Sequence, residues 1–258
     1  MSKSLVTFDR DDDVGIITLD NAERRNVMSR SATSQLSELL DEAARSDGVR
    51  SIILRAEGTV FSAGHDLREI IDADDAQRES LFALCTRMMT TIRELPVPVI
   101  AQVQGLATAA GCQLAATCDL IVAAESAAFA TPGIKIGLFC STPAVAVSRV
   151  IGPKKTMEML LTAEPVPAAE AERIGLVNRV VPAQRLSEET LALAHQIAAA
   201  SPYTLGLGKR AFYQQLELDI AAAYKATEKI MVENAKAPDA LEGMRAFLER
   251  RVPVWGGK

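Results

Sequence analysis

The stretch Val103-Gln104-Gly105-Leu106-Ala107-Thr108-Ala109-Ala110-Gly111-Cys112-Gln113-Leu114 constrains the fold more than any other part of the chain. It carries no charged side chain and most of its residues are small, so it belongs inside a folded core. It continues the apolar run Val99–Val103, which Pro96 and Pro98 separate from a helical pattern over Ala76–Leu95. A short apolar run between prolines and glycines reads as a buried strand. The small residues beyond it read as a turn into a short helix over Ala109–Ala116. Small residues let a ligand approach the main chain, and a helix start presents unpaired N–H groups with partial positive charge.

The same alternation runs through the first half. Leu5–Phe8 and Val14–Leu19 flank the acidic turn Asp11-Asp12-Asp13 as a hairpin. Ser31–Arg45 has Leu36, Leu39, Leu40, Ala43 and Ala44 at helical spacing, Ser51–Ala56 is an apolar strand, and Leu120–Ala123 is another. In the helix over Ala76–Leu95, the residues Leu81, Leu84, Cys85, Met88, Met89 and Ile92 share one face. Strand, helix and strand in turn specify an α/β fold. After Thr142 the pattern is mostly helical, over Ala144–Ile151, Lys154–Leu161, Ala168–Ile174, Glu188–Ala199 and beyond Pro202, with one strand expected at Leu176–Val181.

Charge and cysteine usage narrow the function classes. A net charge of −5 over 258 residues argues against nucleic acid, whose phosphates call for a strong basic excess. Cys85, Cys112, Cys118 and Cys140 form no CxxC pair, and His65 and His195 lie far apart, so no metal site is expected. Scattered cysteines in a chain this long suggest reduced thiols and a cytoplasmic location. No segment approaches a membrane span, and Met1–Asp13 has no apolar stretch of signal-peptide length.

A second small-residue turn, Phe61-Ser62-Ala63-Gly64-His65-Asp66-Leu67, lies between a strand and a charged helix start. Two such turns facing each other make an oxyanion hole, although small residues also occur wherever a helix packs closely on a sheet. At these residues the chain resembles the enoyl-CoA hydratase/isomerase, or crotonase, superfamily. The turn is similar to the family's F-x-A-G-x-D-L/I element. Pro98 through Asp119 is similar to its P-x-I-A-x-V-x-G-x-A-x-G-G-G-x-E-L…CD element. The likeness continues in order through Phe129-Ala130-Thr131-Pro132, Gly137-Leu138, Ala168–Ala171, Gly175-Leu176-Val177 and Phe247…Arg250-Arg251…Pro253.

The resemblance implies an α/β crotonase (ClpP/crotonase-like) fold. Residues 1–200 would form a spiral of β-β-α units, and 201–258 a helical region that builds a homotrimer or a dimer of trimers. It implies enoyl-CoA hydratase or isomerase chemistry in fatty acid metabolism, with coenzyme A as part of the substrate and no separate cofactor. The backbone N–H groups of His65 and Ala110 would hold the thioester oxygen. Arg25 would contact the pyrophosphate, and the main chain of Ala63 and Leu67 the adenine. Phe247 and Arg250 would reach a neighbouring subunit's CoA.

The chain departs from the family at the chemistry. The two glutamates that activate water fall on Gln113 and Gly133, so both carboxylates are missing. A glutamine amide orients water but exchanges no proton near neutral pH, and general acid–base groups supply about 10²–10⁴-fold each. Restoring both glutamates is expected to raise hydratase activity. Ala109 and Ala110 replace family glycines, which is easy if both take negative φ. His65, Asp66, Cys140 and Ser141 are the candidate substitutes. Of these, the His65 side chain is expected to point away, Asp66 to cap a helix, and Cys140 to pack as a thiol without an activating base. His195 reads as structural and Arg68–Arg78 as a solvated face or lid. An acyl pocket is expected around Leu84, Met88, Leu138 and Phe139. Two readings stand: an acyl-CoA enzyme working through an enolate, or a non-catalytic acyl-CoA binder, with thioester hydrolysis as a further alternative.

Overall fold

A computed structural model describes residues 4–257, leaving the first three residues of the Met1–Asp13 stretch outside it. The strands are β1 (Val6–Asp11), β2 (Val14–Leu19), β3 (Ser51–Ala56), β4 (Val60–Ser62), β5 (Val99–Val103), β6 (Leu106–Thr108), β7 (Leu120–Ala124), β8 (Ala128–Ala130), β9 (Val166–Pro167) and β10 (Arg179–Val181). The first helices are α1 (Arg30–Arg45), α2 (Leu67–Asp72), α3 (Asp75–Glu94), α4 (Ala110–Thr117), α5 (Ser141–Val150) and α6 (Pro153–Thr162). They are followed by α7 (Ala168–Arg173), α8 (Leu186–Ala198), α9 (Pro202–Gln215), α10 (Ile220–Lys236) and α11 (Pro238–Glu249).

Local chemistry sets the helix starts. The Ser29 hydroxyl accepts from the N–H of Ala32 to cap α1, and Asp74 with Gln77 forms a reciprocal capping box on α3. The face of α3 that meets the core carries Leu81, Cys85, Met88, Met89 and Ile92, with Leu84 only half-buried. The expected lid at Arg68–Arg78 is α2 plus the start of α3, and Arg78 ties the two by donating to the carbonyl of Ile70 at 3.1 Å.

Two sheets result. One has the order β1-β2-β3-β5-β7-β10, the other β4-β6-β8-β9. The hairpin β1–β2 and the pair β8–β9 are antiparallel, and the other pairings are parallel. The pairs β3–β4, β5–β6 and β7–β8 each give one strand to each sheet before a helix follows, which is the β-β-α spiral of a crotonase fold. Phe61 on β4 and Phe129 on β8 are fully buried between these layers, each contributing about 1.5–3 kcal/mol through burial.

The second sheet was not foreseen, and one expected strand is shorter. Leu176 and Val177 donate instead to the carbonyl of Ala171 at 2.8 and 3.1 Å after the left-handed turn at Gly175, so β10 starts only at Arg179. Among the described residues no helix is long and apolar enough to cross a membrane. His195 on α8 is structural: its Nδ1 meets Asp13 at 2.8 Å and its Nε2 meets Asp11 at 3.1 Å, fixing the hairpin to the helix.

Candidate functional site

The turn after β4 is held by backbone bonds on both sides of His65. The Ser62 hydroxyl donates to the carbonyl of Asn26 at 2.8 Å, and the N–H of Ala63 donates to the carbonyl of Arg25 at 3.0 Å. The carbonyl of Gly64, at φ 83°, accepts from Met28 at 2.8 Å. Asp66 then caps α2 through Arg68 N–H at 3.2 Å, and its buried carboxylate forms an ion pair with the exposed Arg24 at 2.6 Å.

The second turn, after β6, places Ala109 at φ 52°, ψ −119°, a conformation glycine adopts freely and alanine does not. The expectation of a negative φ there fails. The strain is held by two bonds: Ala109 N–H donates to Ala130 at 2.9 Å, and its carbonyl accepts from Gln113 at 3.0 Å. Helix α4 consequently begins at Ala110.

The two turns abut at main-chain level. A Cβ on Gly64 would sit 2.9 Å from the Cβ of Ala109 and 3.1 Å from the nitrogen of Ala110. One on Gly111 would sit 2.4 Å from the carbonyl oxygen of Ser62. No real side chain fits at either place. Among the described residues, no acceptor faces the N–H of His65 or of Ala110. Both His65 and Ala110 border a cavity of about 500 Å³, whose walls include Ala63, Leu67, Phe82, Thr108, Gly133, Leu138, Phe139 and Cys140.

The electrostatics of this cavity are plain. No aspartate or glutamate lines it; its titratable groups are His65, Lys135 and Cys140. Burial holds the His65 imidazole below its ordinary range, so it is neutral at pH 7. Its Nδ1 lies 3.4 Å from the carbonyl of Met28 and its ring packs edge-on to Phe82, while its buried Nε2 has no partner. Burial also pushes the Cys140 thiol up, only partly opposed by the N–H of Gly133. It is a thiol, not a thiolate.

Gln113 and Gly133, where the resemblance leads one to expect glutamates, lie at different cavities. Gly133 borders the cavity, but a Cβ there would meet the carbonyl oxygen of Leu138 at 2.5 Å and the sulfur of Cys140 at 2.8 Å. The loop 138–140 occupies the space a side chain would need, so Gly133→Glu is not a simple exchange. Gln113 borders a different cavity, of about 490 Å³, with Met89, Arg93 and Tyr213. Thr142 lines both cavities.

Of the expected acyl-pocket residues, Leu138 and Phe139 line the first cavity, whereas Leu84 and Met88 do not, because α3 turns Met88 into the core. Arg25, in a left-handed conformation at φ 54°, lies exposed beside Ala63. Phe247, 82% exposed, and Arg250 sit at the end of α11, away from both cavities of this chain. Sequence reasoning missed Arg24, Phe82, Thr108 and Lys135. Thr108 lay inside the motif, but its unpartnered, buried Oγ1 is a tertiary fact.

A family model described as enoyl-CoA hydratase/isomerase matches residues 9–258. The chain belongs to the enoyl-CoA hydratase/isomerase family. It is 45% identical over 253 residues to the mitochondrial enoyl-CoA hydratase domain-containing protein 3 of Mus musculus, covering 97% of this chain and 84% of the relative. The crystal structure of an enoyl-CoA hydratase from Mycobacterium smegmatis superposes with a TM-score of 0.95 at 45% identity, covering 98% of this chain and 99% of the other. That of human enoyl-CoA hydratase domain-containing protein 3 gives 0.94 at 44% identity, covering 98% and 100%. The cytoplasmic expectation is corrected here, since the close relatives are named mitochondrial. Reduced, scattered thiols mark a reducing surrounding and do not tell one such compartment from another.

Proposed function

We propose that the chain binds an acyl-CoA thioester with its carbonyl oxygen between the N–H groups of His65 and Ala110, and acts as an enoyl-CoA hydratase/isomerase-like enzyme through the enolate they stabilise. The observation that carries this is the pair of acceptor-free N–H groups on abutting turns at one cavity. Each such donor is worth about 10²–10³-fold where negative charge develops. Both are backbone groups, so neither depends on the departures from the family's side chains. CoA itself, with no other cofactor, would run over Arg25, Ala63 and Leu67. Phe247 and Arg250 would act on a neighbouring subunit's CoA.

That arrangement requires self-association, with residues 1–200 as the spiral core and 201–258 as the trimer-forming region. Exposed apolar side chains on the last three helices, including Ile220, Tyr224, Phe247 and Leu248 at 75–82% exposure or close to it, support a homotrimer or a dimer of trimers.

A second reading, a non-catalytic acyl-CoA binder, is favoured by one observation: the cavity has no carboxylate to move a proton. Incubation with butyryl-CoA in heavy water separates the two. Deuterium entering C2 supports the enzyme; binding without exchange, hydration, isomerisation or thioester hydrolysis supports the binder.

A further inference from the structure

Three titratable groups line the cavity that His65 and Ala110 border, and their chemistry sorts them. The Lys135 ammonium has no lone pair and faces Glu164 at 3.7 Å. The Cys140 sulfur accepts the N–H of Gly133 at 3.3 Å and stays a thiol. His65 differs. Its Nδ1 meets the Met28 carbonyl at 3.4 Å, so the proton of the neutral ring belongs on Nδ1 and the lone pair on Nε2. That Nε2 is buried, and among the described residues nothing donates to it. A buried acceptor without a donor is the exception in a folded protein. The ring is held edge-on against Phe82, with 5.3 Å between centroids, and Phe82 lines the same cavity. Burial keeps the ring uncharged at neutral pH, against the Met28 carbonyl and the carboxylate of Glu69 on α2, which favour its charged form. Glu69 is itself tied to the N–H of Arg30 at 2.7 Å.

The N–H of His65 is one of the two proposed donors to the thioester oxygen. The acyl C2, one bond beyond the carbonyl carbon, therefore lies within reach of a side chain anchored at the same Cα. We propose that the His65 imidazole is the catalytic base of this site and takes the C2 proton of the bound thioester at Nε2. The C2–H bond breaks and its electron pair forms the C1–C2 double bond of the enolate. The carbonyl oxygen takes the negative charge between the N–H groups of His65 and Ala110, and the proton forms the new N–H bond of an imidazolium. The imidazolium returns the proton to C2, or delivers it to C4 of a 3-enoyl thioester, which completes an isomerisation. The inference rests on the thioester reading of His65 and Ala110.

His65→Gln and His65→Ala both keep the backbone N–H, so each separates the side chain from the oxyanion donor. Calorimetry with butyryl-CoA and deuterium entry at its C2 in heavy water are measured on the wild type and on both variants. Exchange should fall about 10²–10⁴-fold in the variants, while the thioester still binds. A second readout needs no change at residue 65. The chain has two histidines, so NMR with His195→Gln as reference assigns the His65 ring. The exchange rate of the wild type should then fall at the pH where that ring protonates. Exchange that survives in a folded variant, an exchange midpoint away from that of the ring, or a wild type that binds butyryl-CoA without exchange overturns the proposal. If butyryl-CoA does not bind, the thioester reading itself fails, and this inference with it.

Discussion

The N–H of Gly133 donates to the sulfur of Cys140 at 3.3 Å, and a Cβ placed on Gly133 would lie only 2.8 Å from that sulfur. The space above Gly133 is closed by a thiol and by the carbonyl of Leu138. Gly133→Ala is expected to destabilise the fold by about 1–3 kcal/mol through overpacking, read as a lower urea midpoint. Adding Cys140→Ala should recover part of the loss but not all, because the Leu138 oxygen stays 2.5 Å from the added carbon.

Ala109 holds a backbone conformation that costs a non-glycine residue about 1–3 kcal/mol. Ala109→Gly removes that cost and adds a smaller one, up to about 1 kcal/mol, from the freer unfolded chain. A net gain of about 1 kcal/mol is expected, seen as a higher urea midpoint with an unchanged slope.

Lys209 ties α9 to the core. Its ammonium donates to Asp119 at 2.6 Å and to the carbonyls of Ile92 and Val97 at 2.9 and 3.0 Å, while Tyr213 donates to the other oxygen of Asp119 at 2.8 Å. Lys209→Met leaves the Asp119 carboxylate buried without its cation and should cost about 3–5 kcal/mol, measured by denaturant unfolding.

Hydrogen bonds donated to the carboxylate of Asp13, and then to that of Asp11, raise the His195 imidazole above its ordinary value. A raised folded pKa means the stabilisation is fully present below the unfolded value of about 6.5 and is lost as pH climbs through the folded value. The side chain is 35% exposed, so the loss should stay below about 1 kcal/mol. His195→Gln is expected to flatten this part of the stability–pH profile.

The strands of the larger sheet were legible because Val14–Leu19, Ser51–Ala56 and Val99–Val103 are apolar runs with clear stops. The smaller sheet was not, because Val60–Ser62, Leu106–Thr108 and Ala128–Ala130 are three residues each, too short to show a period. The two turns that abut at His65 and Ala110 were legible as turns from small residues at a strand end and at a helix start. The fate of Gln113 and Gly133 was not: which cavity a helical side chain enters, and which loop fills the space above a glycine, are set by contacts distant in sequence. The same holds for Ala109, whose φ is imposed by Ala130 across the sheet and by the first turn of α4.

The central claim is that two backbone N–H groups hold a thioester oxygen. Parallel calorimetric titrations with butyryl-CoA and with S-butyl-CoA, a thioether that lacks only that oxygen, test it most directly. The account predicts that the thioester binds at least about tenfold tighter, the worth of one good hydrogen bond. Equal affinities for the two would contradict it.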